Sequence, residues 1–153
     1  MDKTIGRLTF QAAALGAVAG MRSMLAPALF HRFSAQNGSG GQFDSPNVGK
    51  LLDVMAIGEW AADKLPNTPS RLSPPSLAVR AVSGALVGGA LFAQKRKPTA
   101  AGAIVGGLAA VAATYAFYHL RQTVDKKTGL PDPAIALVED AIAAGVGNLA
   151  LRG

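Results

Sequence analysis

Residues 99–120 read TAAGAIVGGLAAVAATYAFYHL, a run without a single Asp, Glu, Lys or Arg. At 1.5 Å rise per residue a helix of that length is about 33 Å long, enough to cross a bilayer core of about 30 Å. Lys95, Arg96, Lys97 and Pro98 precede it, and Arg121, Lys126 and Lys127 follow it. Tyr115, Tyr118 and His119 fall near its far end, where amphipathic rings sit well among lipid headgroups. The run is expected to be a transmembrane helix, because the central helix of a soluble bundle rarely needs so long an uncharged stretch.

Four weaker stretches follow the same logic. Residues 8–30 are apolar except for Gln11 and Arg22. Residues 48–65 are amphipathic, with Lys50, Asp53, Glu59, Asp63 and Lys64. Residues 77–93 are apolar after Arg80, and 134–151 are apolar except for Glu139, Asp140 and Asn148. None is decisive alone. Together with 99–120 they predict an all-α, polytopic bundle of four to five Gly/Ala-rich spans forming one integral-membrane domain over residues 1–153.

Composition agrees. Of 153 residues, 50% are hydrophobic and 16% charged, with 18 glycines and few aromatics. The apolar half is mostly Ala, Gly and Val, which suits helices that approach closely. There is no cysteine, so disulfide frameworks and thiolate metal sites are excluded. A net charge of +6 fits either nucleic acid or an anionic membrane surface. The cations are scattered among loops rather than gathered with aromatics, which weighs against nucleic acid.

Between the spans, SAQNGSGGQFDSP (34–46) reads as a flexible loop. PNTPSRLSPP (66–75) reads as a stiff one, because each proline fixes φ and removes an amide donor. TVDKKTGLPDP (123–133) is charged and turn-rich, with Pro133 placed to start the last helix. Lys3 and Arg7 ahead of an apolar stretch also suit a signal peptide, but Arg22 interrupts the run where a cleavage region would lie. Five spans would put Lys3, Arg7, Lys64, Arg71, Arg121, Lys126 and Lys127 on one side. Arg32, Lys95, Arg96, Lys97 and Arg152 would lie on the other. That division leaves orientation open.

The spacing Gly-x-x-x-Gly recurs at Gly16 and Gly20, at Gly84 and Gly88, and at Gly102 and Gly106. Glycines four apart share a helix face and let another backbone come close, so these are candidate helix-packing faces. A looser echo links IGEWAADKL around Glu59 with LVEDAIAAG around Glu139. Each follows a glycine-spaced helix, which suggests two helix pairs, the second upside down. Such an inverted repeat is the building plan of many transporters.

Ionisable groups at bilayer depth cost from about 2.5 kcal/mol each, so they usually face a cavity or a partner. Arg22 sits in GMRSMLAPAL, where Pro27 removes one backbone bond and frees carbonyls beside Ser23. Either Arg22 binds an anionic headgroup or a neighbouring carboxylate, or the first span ends near Met21 and Arg22 marks the interface. Glu59 and Asp63 are four apart and share a face, an arrangement able to share a proton or cation. An amphipathic helix end solvated at the headgroups has the same pattern. Glu139 and Asp140 open the last helix, where they also complement its dipole. His119 shares a face with Tyr115 and Gln122 and is a candidate proton relay, though a lone interfacial histidine is more often only hydrogen-bonded. There is no phosphate-binding Gly-Lys-Ser/Thr loop, no His-Glu-x-x-His and no Gly-x-Ser-x-Gly elbow, so no enzyme, metal site or cofactor is expected.

Gly20-x-Arg22-Ser23 followed by Pro27-Ala28 opens a longer order of motifs. Glu59-Trp60-Ala61-Ala62-Asp63-Lys64-Leu65-Pro66 with a Thr-Pro-Ser-Arg loop comes next, then Arg80 leading into Ser83-Gly84-Ala85. In this order the chain resembles the bacterial integral-membrane domain-of-unknown-function family 4126 over nearly its whole length. The resemblance implies a multi-pass protein of the bacterial inner membrane and carries no activity with it.

The residues point to a transporter or channel for a small ion or solute, with Glu59 and Asp63 as polar site and Arg22 as counter-charge. The other reading is a non-transporting protein that binds lipid or organises a membrane complex through its glycine faces. Either is expected as a homodimer or larger, since a second copy would help shield Arg22, Glu59 and Asp63.

Overall fold

The computed structural model describes residues 3–38, 45–62, 72–128 and 132–152, and all regular structure among them is helical. In chain order the helices are α1 (Lys3–Met21), α2 (Leu25–Gln36), α3 (Pro46–Ala62), α4 (Pro74–Gln94), α5 (Thr99–Thr128) and α6 (Asp132–Arg152). α4 begins on Pro74, where a missing N–H removes no helical bond. It ends in a tight reversal: Arg96 takes φ 53°, its amide bonds Ala93 O at 2.9 Å, and the Lys97 amide bonds Phe92 O at 2.9 Å. These are the two bonds of a Schellman cap. Pro98 then blocks continuation and α5 starts beside α4.

α1, α4 and α5 form the centre, and their glycines set the spacing. α1 lays Gly16 and Gly20 on Gly106 and Ala110 of α5, while α4 lays Gly84 and Gly88 on Gly106 and Gly102. A side chain at Gly106 would run into the backbone of Gly84, so this crossing requires glycine. Leu8, Leu15, Val18, Phe30, Val87 and Leu91 fill the remaining interior. The Gly-x-x-x-Gly faces are thus used within one chain.

The same pairings give the helix directions. Residue numbers rise together along α1 and α5 and oppositely along α4 and α5. Ser23 and Ser34 of the α2 region meet Ser83 and Gln94, so α2 runs with α4 and against α1. Glu59 meets Ser23 while Gly49 meets His31, so α3 runs against α2. Gln11 meets Ala150 and Arg22 meets Asp140, so α6 runs against α1.

Residues 8–30 are therefore a helical hairpin and not one span. The turn at 22–24 follows from Pro27, which is the third residue of α2 and belongs to a first turn rather than a helix interior. The pairing of α1 and α3 with α5 and α6 that the sequence echo suggests is not an inversion, although α1, α2 and α3 run opposite to α4, α5 and α6 respectively. α1 and α5 are parallel, whereas α3 and α6 are opposed, so no single inversion relates the two pairs. A further departure is at 123–128, which the charges mark as loop but which continue α5 to Thr128.

α4 and α5 are long and apolar enough to cross a membrane. Only 28% of the most apolar part of α5 is buried, unlike the core helix of a soluble protein. Ile104 and Leu108 on α5, Val54 and Ile57 on α3, and Leu137 and Leu149 on α6 are all exposed. Folding the hairpin back also regroups the cations. Among the described residues, Lys3, Arg7, Arg32, Lys50, Lys95, Arg96, Lys97 and Arg152 come to one end of the bundle, and Arg121 and Lys126 lie toward the other.

Candidate functional site

Breaking a helix between Met21 and Leu25 orphans backbone groups that an unbroken helix would pair internally. The Leu25 amide takes up the Arg22 carbonyl at 3.3 Å, and five others are met by side chains from other helices. The carbonyl of Gly20 accepts from Arg80 Nη1 at 2.7 Å and from Thr114 Oγ1 at 3.1 Å, and that of Met21 accepts from Arg80 Nη1 at 3.1 Å. Pro27 has no N–H to offer Ser23 O, and the hydroxyl of Ser83 bonds that carbonyl instead. The amides of Ser23 and Met24 donate to Glu59 Oε1 and Oε2, each at 2.9 Å, and the Ser23 hydroxyl adds 2.6 Å to Oε1.

Charge follows the helix dipoles. The Arg80 guanidinium lies on the C-terminus of α1 and the Glu59 carboxylate on the N-terminus of α2, each the favourable sign for its helix end. Arg80 Nη2 and Glu59 Oε1 are themselves 4.0 Å apart. Beside them Arg22 grips Asp140 of α6 in two places, Nε to Oδ1 at 2.6 Å and Nη2 to Oδ2 at 3.2 Å. Two cations and two carboxylates balance, and α3, α4, α5 and α6 each contribute a side chain to the break.

Gly20, one turn before the break, is level with Ala110 and Thr114, so the break lies in the second half of the uncharged run 99–120. Arg22 is 6% exposed and the Glu59 side chain 14% exposed within the single chain, so their shielding does not call for a second copy. A cavity of about 250 Å³ opens against the cluster, walled by Leu25, Ala56, Trp60 and Ala144 around Arg22, Glu59 and Asp140.

The sequence candidates are distributed unevenly over this geometry. Arg22, Ser23, Glu59 and Asp140 meet at the break. Arg22 pairs with Asp140 of α6. Asp63 lies outside the described residues. Glu139, though adjacent to Asp140, faces Arg121 at 3.6 Å. His119 is exposed, with its ring edge-on to Tyr118 at 5.5 Å. The glycines at 16, 20, 84, 88, 102 and 106 hold the helices that carry the break. Arg80 and Ser83 are singled out by the sequence only as part of the family motif, and Thr114 is not singled out. The rule that draws attention to Arg22, a charge inside an apolar helix, applies equally to Arg80.

A family model described as "Domain of unknown function (DUF4126)" matches residues 9–152, and the chain belongs to that family. No curated protein and no solved structure matches the chain.

Proposed function

We propose that this DUF4126 chain is a multi-pass protein of the bacterial inner membrane that moves a small ion or solute past the charges at the α1–α2 break. In this reading α3, α4, α5 and α6 cross the bilayer. α1 and α2 form a re-entrant hairpin that enters and leaves on one side, with its tip within the bilayer, past its middle. The larger set of cations, from Lys3 to Arg152, marks that side as cytoplasmic. Lys3 and Arg152 then share the cytoplasmic side.

The observation that carries the reading is the broken helix with Arg22, Glu59, Arg80 and Asp140 gathered around it. Non-helical backbone at membrane depth is tolerated where protein buries it or where it lines a cavity. Charges at that depth are costly and by default functional, and broken helices near the midplane form the sites of many transporters. The adjoining cavity of about 250 Å³ is walled mostly by apolar atoms, with Arg22, Glu59, Trp60 and Asp140 among its lining residues. Movement of a solute would exchange contacts at Arg22–Asp140 and Glu59; with Arg80 beside Glu59 the four groups sum to zero, which lets either sign enter beside its complement.

The test is flux into vesicles containing the purified protein, scanned over protons, common cations and common anions, with Glu59→Gln plus Asp140→Asn beside the native chain. Flux in the native protein that the double change abolishes supports the proposal. Absence of flux in a folded, inserted native protein would favour the lipid-binding or scaffolding role, for which the exposed apolar faces of α3 and α6 would be the contact surfaces.

A further inference from the structure

A polar cavity of about 590 Å³ lies between the C-terminal turns of α2 and α6, away from the helix break. Its polar lining includes Arg32, Gln36 and Arg152, all exposed, and its apolar lining includes Leu29, Phe33 and Leu151. Leu29, Phe33 and Gln36 are four and three residues apart, so they fall on one face of α2 in the order apolar, apolar, polar toward the helix end. α6 repeats that order with Leu151 and then Arg152. The cavity is thus graded, greasy toward the centre of the bundle and cationic at its end.

We propose that this cavity binds a phosphate-bearing anion, held between the guanidinium groups of Arg32 and Arg152. Arg32 donates from Nη2 to Asp53 at 2.9 Å, and a guanidinium carries five N–H groups, so that bond leaves donors for a ligand. Two guanidiniums across a cavity match the several acceptor oxygens of a phosphate, which they bind through paired N–H donors. Gln36 adds an amide donor. Two sources fit the chemistry: the headgroup of an anionic phospholipid, whose acyl chain would lie along Leu29 and Phe33, or a free phosphate. The lipid source rests on the membrane placement proposed above, because basic pockets between helices on the cytoplasmic side suit anionic headgroups. The free-phosphate source does not.

Native mass spectrometry of the detergent-purified full chain, offered phosphatidylglycerol or phosphatidylcholine, tests the site, together with titration of inorganic phosphate. The expected result is retention of phosphatidylglycerol over phosphatidylcholine, weakened about thirtyfold by Arg32→Gln plus Arg152→Gln at unchanged elution volume and helix content. Lys95→Gln plus Lys97→Gln, which removes equal charge at the same end but outside the cavity, should retain the lipid. Inorganic phosphate binding that the arginine pair abolishes would identify the free anion as the source, and its failure beside selective lipid retention would identify the headgroup. Equal retention of phosphatidylglycerol by native and arginine-pair proteins overturns the proposal. So does equal loss in the lysine pair, or absence of both lipid selectivity and phosphate binding.

Discussion

Glu59 and Ser23, thirty-six positions apart, are joined by two hydrogen bonds to one carboxylate oxygen, from the Ser23 amide at 2.9 Å and from its hydroxyl at 2.6 Å. This contact places α3 on the N-terminus of α2. Glu59→Ala would leave the Ser23 and Met24 amides without their acceptor and is expected to cost about 3 kcal/mol. Glu59→Gln keeps one acceptor oxygen but turns an NH₂ toward a donor, so it should fall between native and Ala. Thermal unfolding of the three proteins in one detergent orders them, and equal melting temperatures would refute the capping role.

Arg22 and Asp140 form the other half of the cluster. Removing one partner strands a buried charge, so Arg22→Met or Asp140→Leu alone should each destabilise by about 3–5 kcal/mol. The pair Arg22→Met with Asp140→Leu should recover most of that loss, because apolar groups of similar volume often replace a buried ion pair at little cost. A double-mutant cycle on unfolding free energies measures the coupling. Additive losses would mean the two side chains do not act together.

Much of this was legible in the sequence, and the part that was not has a physical reason. The apolar run at 99–120 and the glycine spacings located the central helices, since length and spacing are local properties. The hairpin at 22–24 was hidden because composition measures apolarity and not direction, and residues 8–30 are apolar on both sides of the turn. Pro27 was the available signal. Its missing N–H frees the Ser23 carbonyl, and the structure shows a reversal there, with Ser83 taking that carbonyl. The partners of Arg22 and Glu59 stayed out of reach because they are set by tertiary contact between α2, α3, α4 and α6.

Packing around Gly106 is expected to be unforgiving. Gly106→Ala would push into the Gly84 backbone, which cannot rotate away, and should cost about 3 kcal/mol or the fold itself. Gly145, in the interior of α6, has open space around a added methyl group, and Gly145→Ala should stabilise by about 0.5–1 kcal/mol. Folded yield and melting temperature of the two variants check the contrast. Because the glycine faces are used within the chain, Gly84→Leu should lose folded protein rather than convert an oligomer to monomer.

The helical hairpin makes a topological prediction that the absence of cysteine renders clean. Single changes Lys3→Cys and Lys97→Cys should both react with an impermeant thiol reagent from the cytoplasmic side, and Lys126→Cys only from the opposite side. Five straight spans would instead place Lys3 with Lys126 and against Lys97. Labelling of intact cells and of inverted vesicles distinguishes the two arrangements.

Flux through vesicles carrying the Arg22→Met, Asp140→Leu protein is the most direct test that the charges at the break serve transport. This variant is expected to remain folded, so lost activity cannot be assigned to lost structure. Native protein should conduct at least one small ion or solute, and the neutral pair should fall to the rate of empty vesicles. Flux in the neutral pair equal to that of the native chain would contradict a role for Arg22 and Asp140 in the pathway.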